Sequence, residues 1–150
     1  MKKFALVVMM AVASLALHAQ IKDPVSWKYE AVKKAAGTYE VVITATIESP
    51  WHLYSQNTGK GGPVPTSFTF KANPLITLTG TPKETGKLEK TFDKNFNTNV
   101  LYYNGTVVFV QTVKVKGSVK TNIAGTLEYM VCNDEQCLPP VKKSFDIKLQ

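Results

Sequence analysis

Tyr39-Glu40-Val41-Val42-Ile43-Thr44-Ala45-Thr46-Ile47 decides the fold class. Tyr39, Val41, Ile43, Ala45 and Ile47 fall on one side of an extended chain, and Glu40, Val42, Thr44 and Thr46 on the other. A period of two held this long is the signature of a half-buried strand. Upstream, Val25, Trp27 and Tyr29 alternate with Ser26, Lys28 and Glu30 in an earlier strand. Downstream, the same reading predicts strands over residues 66–70, 75–79, 100–103, 106–115, 125–132 and 144–149. Turn signals punctuate them at Gly37, Ser49-Pro50, Asn73-Pro74, Asn104-Gly105 and Gly117. Asn104-Gly105-Thr106 also matches a glycosylation sequon, but Asn-Gly between two apolar runs reads better as a tight hairpin. No stretch beyond residue 19 holds a helical period. Short strands at this spacing predict an all-β, immunoglobulin-like antiparallel β-sandwich, with a small barrel as the alternative.

Two loops stand apart from the strands. Residues 57–65 (N-T-G-K-G-G-P-V-P) are too rich in Gly and Pro for a central strand. Residues 91–99 (T-F-D-K-N-F-N-T-N) are polar yet carry Phe92 and Phe96, and an aromatic displayed on a loop is expected to pack onto something. Asp93, at the polar start of that loop, reads as a solvated turn carboxylate.

Composition bounds the function. The chain has 150 residues, 44% of them hydrophobic and 19% charged, which argues for a packed core and against disorder. Its charge is +7, yet every basic residue is Lys. Without the guanidinium fork, a reader of nucleic acid is not expected. Lys2 and Lys3 precede a nearly continuous apolar run from Phe4 to Leu17, and Ala19 follows. Residues 1–19 are therefore read as a cleavable secretory signal peptide. The run is short for a membrane span, which needs about 20 residues, and no later segment is apolar enough to cross. Residues 20–150 are then one exported domain with a charge of +5 and His52 as the only histidine. That thins the options for catalysis. A Ser-His-Asp device lacks a G-x-S-x-G elbow, and a zinc site has only Cys132, Cys137 and His52 to draw on.

The chemistry lies in Met130-Val131-Cys132-Asn133-Asp134-Glu135-Gln136-Cys137-Leu138-Pro139-Pro140. An exported protein with one close cysteine pair is expected to form a disulfide. As a clip it is weak, since closing so short a loop stabilises by only about 2 kcal/mol, and a sandwich of this size builds its core without it. A short bridge at a strand end opens with little change to the fold, which suits a redox carrier. Asp134 and Glu135 disfavour a thiolate, Lys142 and Lys143 partly offset them, and no helix N-terminus is evident. Thiols that are not strongly acidic are the expectation; these exchange when a partner supplies the activated thiolate or the good leaving group.

V-C-N-D-E-Q-C-L-P-P followed by K-K-S-F-D-I-K-L resembles the active-site hairpin of the N-terminal periplasmic (alpha) domain of the thiol:disulfide interchange protein DsbD family. V-S-W-K-Y-E, W-H-L-Y-S-Q and F-D-K-N-F-N-T-N-V-L-Y-Y agree in order, so the resemblance covers residues 24–150. It implies an immunoglobulin-like fold and a relay of reducing equivalents from a membrane-embedded reductase to periplasmic partners, without metal or organic cofactor. It implies that Cys137 forms the mixed disulfide with a partner and that Cys132 resolves it. Phe96 would belong to a cap over the cysteines, and Tyr54 and His52 would line the site on the neighbouring strand. The partners implied are thioredoxin-like or membrane-embedded thiol–disulfide reductases and periplasmic disulfide substrates. The spacing here is C-x4-C, one residue shorter than in familiar members. The chain ends at Gln150, where family members continue into membrane and thioredoxin-like domains, so separate partners are expected. If it is an enzyme, its chemistry is of the thiol–disulfide oxidoreductase type.

Two other readings remain open at this point. One is a non-catalytic binding sandwich in which the disulfide is structural. The other is a Cu(I) carrier using Cys132, Cys137 and Met130 or His52, because thiolates and thioethers suit that ion; Met130 and Cys132 share a face on a strand.

Overall fold

The computed structural model describes residues 22–94 and 96–150; the expected signal peptide, residues 1–19, lies outside them. Nine strands follow in order: β1 (Val25–Ala35), β2 (Thr38–Ile47), β3 (His52–Tyr54), β4 (Ser67–Phe70), β5 (Ile76–Asp93), β6 (Thr98–Val115), β7 (Thr121–Tyr129), β8 (Val131–Cys132) and β9 (Val141–Leu149). No helix occurs among the described residues. β4, β7 and β9 make a small sheet in that order, and the other six strands make a large one. All pairings are antiparallel. The architecture is the immunoglobulin-like sandwich that the alternation predicts.

β2 behaves as its pattern requires. Tyr39, Val41, Ile43, Ala45 and Ile47 are all buried, and they join Val107, Phe109 and Val113 of β6, Ile123 and Leu127 of β7, and Phe145, Ile147 and Leu149 of β9 in one core. Trp27 closes the flank, its ring 6.2 Å from Phe109 and 5.1 Å from Tyr129. Gly125 is required where β4 crosses β7. A Cβ there would stand 2.4 Å from the Thr69 carbonyl oxygen and 2.8 Å from the Phe145 ring.

Three strand readings need correction. Asn104-Gly105 is not a hairpin: β6 runs straight through it as one strand. Gly105 takes a left-handed φ of 68°, but β5 pairs with β6 on both sides of it, so the chain does not reverse. The register instead shifts, with Gly86 opposite Val107 and Leu88 opposite Tyr103, and the glycine serves a bulge. The second correction is the length of β5, which extends to Asp93, far beyond the expected end at residue 79. Gly80, Pro82 and Gly86 read as breakers, yet among the described strands β5 pairs only with β6, and an edge tolerates them. Third, residues 125–132 are not one strand. The chain leaves the small sheet at Met130 and enters the large one as β8.

The bulge positions the site. Beyond it β6 changes neighbour, pairing with β2 over residues 106–114 and with β3 at Tyr102 and Tyr103. β3 in turn carries β8 on its other side. The large sheet is therefore forked, and its second prong is β6, β3 and β8.

Candidate functional site

Alternation along the second prong separates two faces. Leu53, Tyr103 and Val131 are mutual register partners and belong to the main core. Their neighbours point the opposite way. Tyr54 pairs with Tyr102, and His52 with Cys132. Tyr54, Val100 and Cys132 form a second buried cluster, with Phe96, Tyr102, Met130 and Cys137 packed against it. A satellite core thus sits on the outer face of the large sheet.

Cys132 and Cys137 are bonded, with S–S 1.99 Å and Cα–Cα 4.0 Å. Cys132 is 1% exposed, whereas Cys137 is partly exposed. The backbone holds the two opposite each other independently of the sulfurs. Asn133 N–H donates to the Gln136 carbonyl at 2.9 Å, and Leu138 N–H to the Val131 carbonyl at 2.9 Å. Asn133 Oδ1 accepts from the N–H groups of Glu135 (2.9 Å) and Gln136 (2.8 Å), an Asx-type turn that leaves Asp134 and Glu135 exposed at the tip. None of these hydrogen bonds involves a sulfur atom.

Phe96 lies in the turn between β5 and β6, which is tighter than the expected loop over residues 91–99. Thr91, Phe92 and Asp93 end β5, and Thr98 and Asn99 begin β6. Phe96 sets its ring edge-on to Tyr54, with centroids 6.4 Å apart. Asp93 is not the solvated turn carboxylate the sequence suggests: it is partly buried, and its Oδ2 accepts the Tyr54 hydroxyl at 3.3 Å. Alternation puts Asp93 on the face of β5 that looks toward this cluster.

His52 extends the polar row. Its Nε2 lies 3.3 Å from the Tyr54 hydroxyl oxygen, and its ring centroid is 4.6 Å from that of Tyr102. Burial, reinforced by the charge and hydrogen bond of Asp93, raises the Tyr54 hydroxyl well above its ordinary range. The phenol therefore keeps its proton and donates it in a hydrogen bond to Asp93, while its oxygen faces His52 Nε2. Burial also lowers His52 below its ordinary 6.5, against the opposing pull of Asp93 and Asp134. Burial thus favours the neutral imidazole over the protonated one. Because the unfolded chain takes up this proton more readily, stability is expected to fall as pH drops from about 6.5 toward the lowered native value. Urea unfolding at pH 7.5 and 5.5 should show this drop, and His52→Gln should reduce it; an identical drop in the variant would exclude His52 as its source.

Cys132, Cys137, Phe96 and Tyr54 thus come together in one cluster, with His52 on its flank. Tyr102 and Val100 belong to the cluster and were not among the expected site residues. A cleft of about 710 Å³ adjoins it, lined among others by Trp51, His52, Phe92, Asp93, Tyr102 and Asp134. Among the described residues, no three His, Cys, Asp or Glu side chains are grouped to hold a metal ion. No described helix is long and apolar enough to cross a membrane.

The family described as thiol:disulfide interchange protein DsbD, N-terminal, matches residues 19–149. The chain belongs to this family. Solved structures agree on the fold. The DsbD N-terminal domain of Neisseria meningitidis in its reduced form is 19% identical, with a TM-score of 0.52 over 81% of this chain and 83% of that one. The N-terminal periplasmic domain of ScsB from Proteus mirabilis is 16% identical, with a TM-score of 0.60 over 89% of this chain and 49% of that one; this chain thus spans about half of the ScsB domain. A third structure, the complex between the DsbD N-terminal and PilB N-terminal domains of Neisseria meningitidis, matches at 17% identity and a TM-score of 0.52, over 85% and 87% of the two chains. No curated protein sequence matches significantly. For a DsbD N-terminal domain, a cysteine pair at bonding distance on an outer sheet face is an arrangement suited to thiol–disulfide exchange.

Proposed function

We propose that this DsbD N-terminal family member is an exported, periplasmic thiol–disulfide exchange protein. It relays reducing equivalents from a membrane-embedded reductase to periplasmic thiol proteins through Cys132 and Cys137. The observation that carries this reading is the asymmetry of the bridge: Cys132 is buried in the satellite cluster, while Cys137 is partly exposed and packs, like Phe96, against that cluster. The more exposed cysteine of the two is the one a partner reaches first.

In the reducing direction, the Cys137 thiolate attacks one sulfur of a partner disulfide. A Cys137–partner bond forms, and the partner's other sulfur leaves as a thiolate. The Cys132 thiolate then attacks Cys137, the mixed disulfide breaks, and the second partner sulfur leaves. Two electrons pass to the partner and the Cys132–Cys137 bond is restored. Recharging runs the same steps backward with a reductase thiolate as the nucleophile. The ladder bonds on either side of the pair keep Cys132 within reach for the second step. Phe96 shields the reduced sulfurs until a docking partner displaces it, and the adjoining cleft offers that partner a place to seat.

Cys132→Ser should accumulate a mixed disulfide through Cys137, visible as a reductant-sensitive adduct on a non-reducing gel. Cys137→Ser should accumulate none. Adducts only through Cys132 would reverse the two roles, and adducts through neither would favour a structural clip.

A further inference from the structure

Charge is unevenly distributed along the strands. Tyr102 of β6 lies beside the disulfide cluster, and the strand ends at Val115, roughly 40 Å beyond Tyr102 at strand spacing. At that end Val115 N–H donates to the Gly37 carbonyl (2.7 Å) and Lys116 N–H to the Leu75 carbonyl (2.9 Å). Asn73 Nδ2 donates to Thr121 Oγ1 (3.0 Å). The β1–β2 turn, the β4–β5 connection and the β6–β7 connection therefore meet in one pole, opposite the cysteines.

Lysines crowd this pole, and all are exposed. Lys33 and Lys34 come from β1 and Lys71 follows β4. Lys114 and Lys116 close β6, Lys120 precedes β7, and Lys148 lies near the end of β9. Among the described residues, the carboxylates there are Glu40, which pairs with Lys34 at 3.3 Å, and Asp146, which accepts from Asn122 at 2.6 Å. Elsewhere in the described chain, nine lysines are matched by nine carboxylates. The whole net positive charge of the described residues thus sits at the end remote from the disulfide. Exposed aliphatic side chains stand among these lysines: Val32 (44%), Leu75 (41%) and Val119 (46%).

A protein-binding patch would be expected to enrich aromatics and Arg and to deplete Lys. This pole is instead rich in Lys, and its exposed large apolar side chains are aliphatic, not aromatic. Lysines around scattered apolar tips match an anionic bilayer surface, where headgroup phosphates meet the ammonium groups and the tips enter the interface. We propose that this pole docks on an anionic phospholipid bilayer, through its lysines and through Val32, Leu75 and Val119. The disulfide then faces away from the lipid. This surface is independent of whether the disulfide exchanges.

Flotation of the exported protein with vesicles tests it. Vesicles containing phosphatidylglycerol should carry the protein, and vesicles of phosphatidylcholine alone should not. Salt near 1 M, where the screening length falls to about 3 Å, should release it. Each lysine near such a surface is worth about fivefold, so Lys114→Gln, Lys116→Gln and Lys120→Gln together should weaken partitioning on the order of 100-fold. Lys87→Gln, Lys90→Gln and Lys142→Gln, equally exposed but remote from the pole, should have much less effect. Equal binding to both vesicles, binding to neither, or equal losses in the two triple variants would overturn the proposal. So would retention on an acidic polypeptide surface without binding to vesicles.

Discussion

Phe96→Ala should oxidise about tenfold faster than the wild type when the reduced protein meets excess oxidised glutathione. Full burial of a phenylalanine side chain is worth about 1.5–3 kcal/mol. Phe96 is only partly buried, so the lower end applies to its contact with Tyr54 and the cysteine cluster. Losing about 1.4 kcal/mol of cap closure raises the open fraction about tenfold, and a small oxidant that needs the cap open reacts correspondingly faster. Phe92, 55% exposed at the end of β5, is the control: Phe92→Ala should leave this rate nearly unchanged. An unchanged rate in Phe96→Ala would show that the ring shields nothing.

Glu84→Ala should cost about 3 kcal/mol of stability. The Glu84 carboxylate accepts from the Ser55 hydroxyl, from Gln56 N–H at 3.0 Å and from Asn57 Nδ2 at 2.8 Å. It also faces Tyr103, whose hydroxyl is pushed up to about 12 by burial first and then by this charge and hydrogen bond. Ser55 is 0% exposed, so its hydroxyl, which still accepts from Asn57 N–H at 2.9 Å, finds no water to take its proton. Each buried group left unpaired costs about 1–3 kcal/mol, and hydrogen bonds to a charged group are at the stronger end. The same carboxylate fixes the chain just after β3, where Ser55 N–H donates to the Leu101 carbonyl at 2.9 Å and Thr58 Oγ1 accepts from Leu101 N–H at 3.1 Å. Releasing it loosens the strand that carries Tyr54. Urea unfolding should show a lower midpoint with an unchanged slope; a loss below about 1 kcal/mol would mean the network relaxes around the missing group.

The alternation of Tyr39 through Ile47 was enough to orient β2, because a period of two leaves no choice of face. The cysteine pair was legible for a similar reason, since five positions of separation bring two chains of a hairpin together whatever the rest does. The fork in the large sheet was not. Asn104-Gly105 carries the composition of a hairpin, and what makes it a bulge is the pairing of β5 on both sides of it, a long-range fact. Tyr102 entered the cluster only through that fork. Asp93 was misread because its burial comes from Tyr54, which is distant in sequence and adjacent only once β3 and β5 flank β6. Ser55 and Glu84, likewise, carry no local signal of their partnership.

An equilibrium titration of the Cys132–Cys137 bond against glutathione or dithiothreitol buffers tests the central claim most directly. A bridge that toggles in use should be half reduced near the potentials of known exchange proteins, about −120 to −270 mV. If it stays closed to below about −300 mV, where structural disulfides lie, the pair is a permanent clip and the proposed relay is wrong.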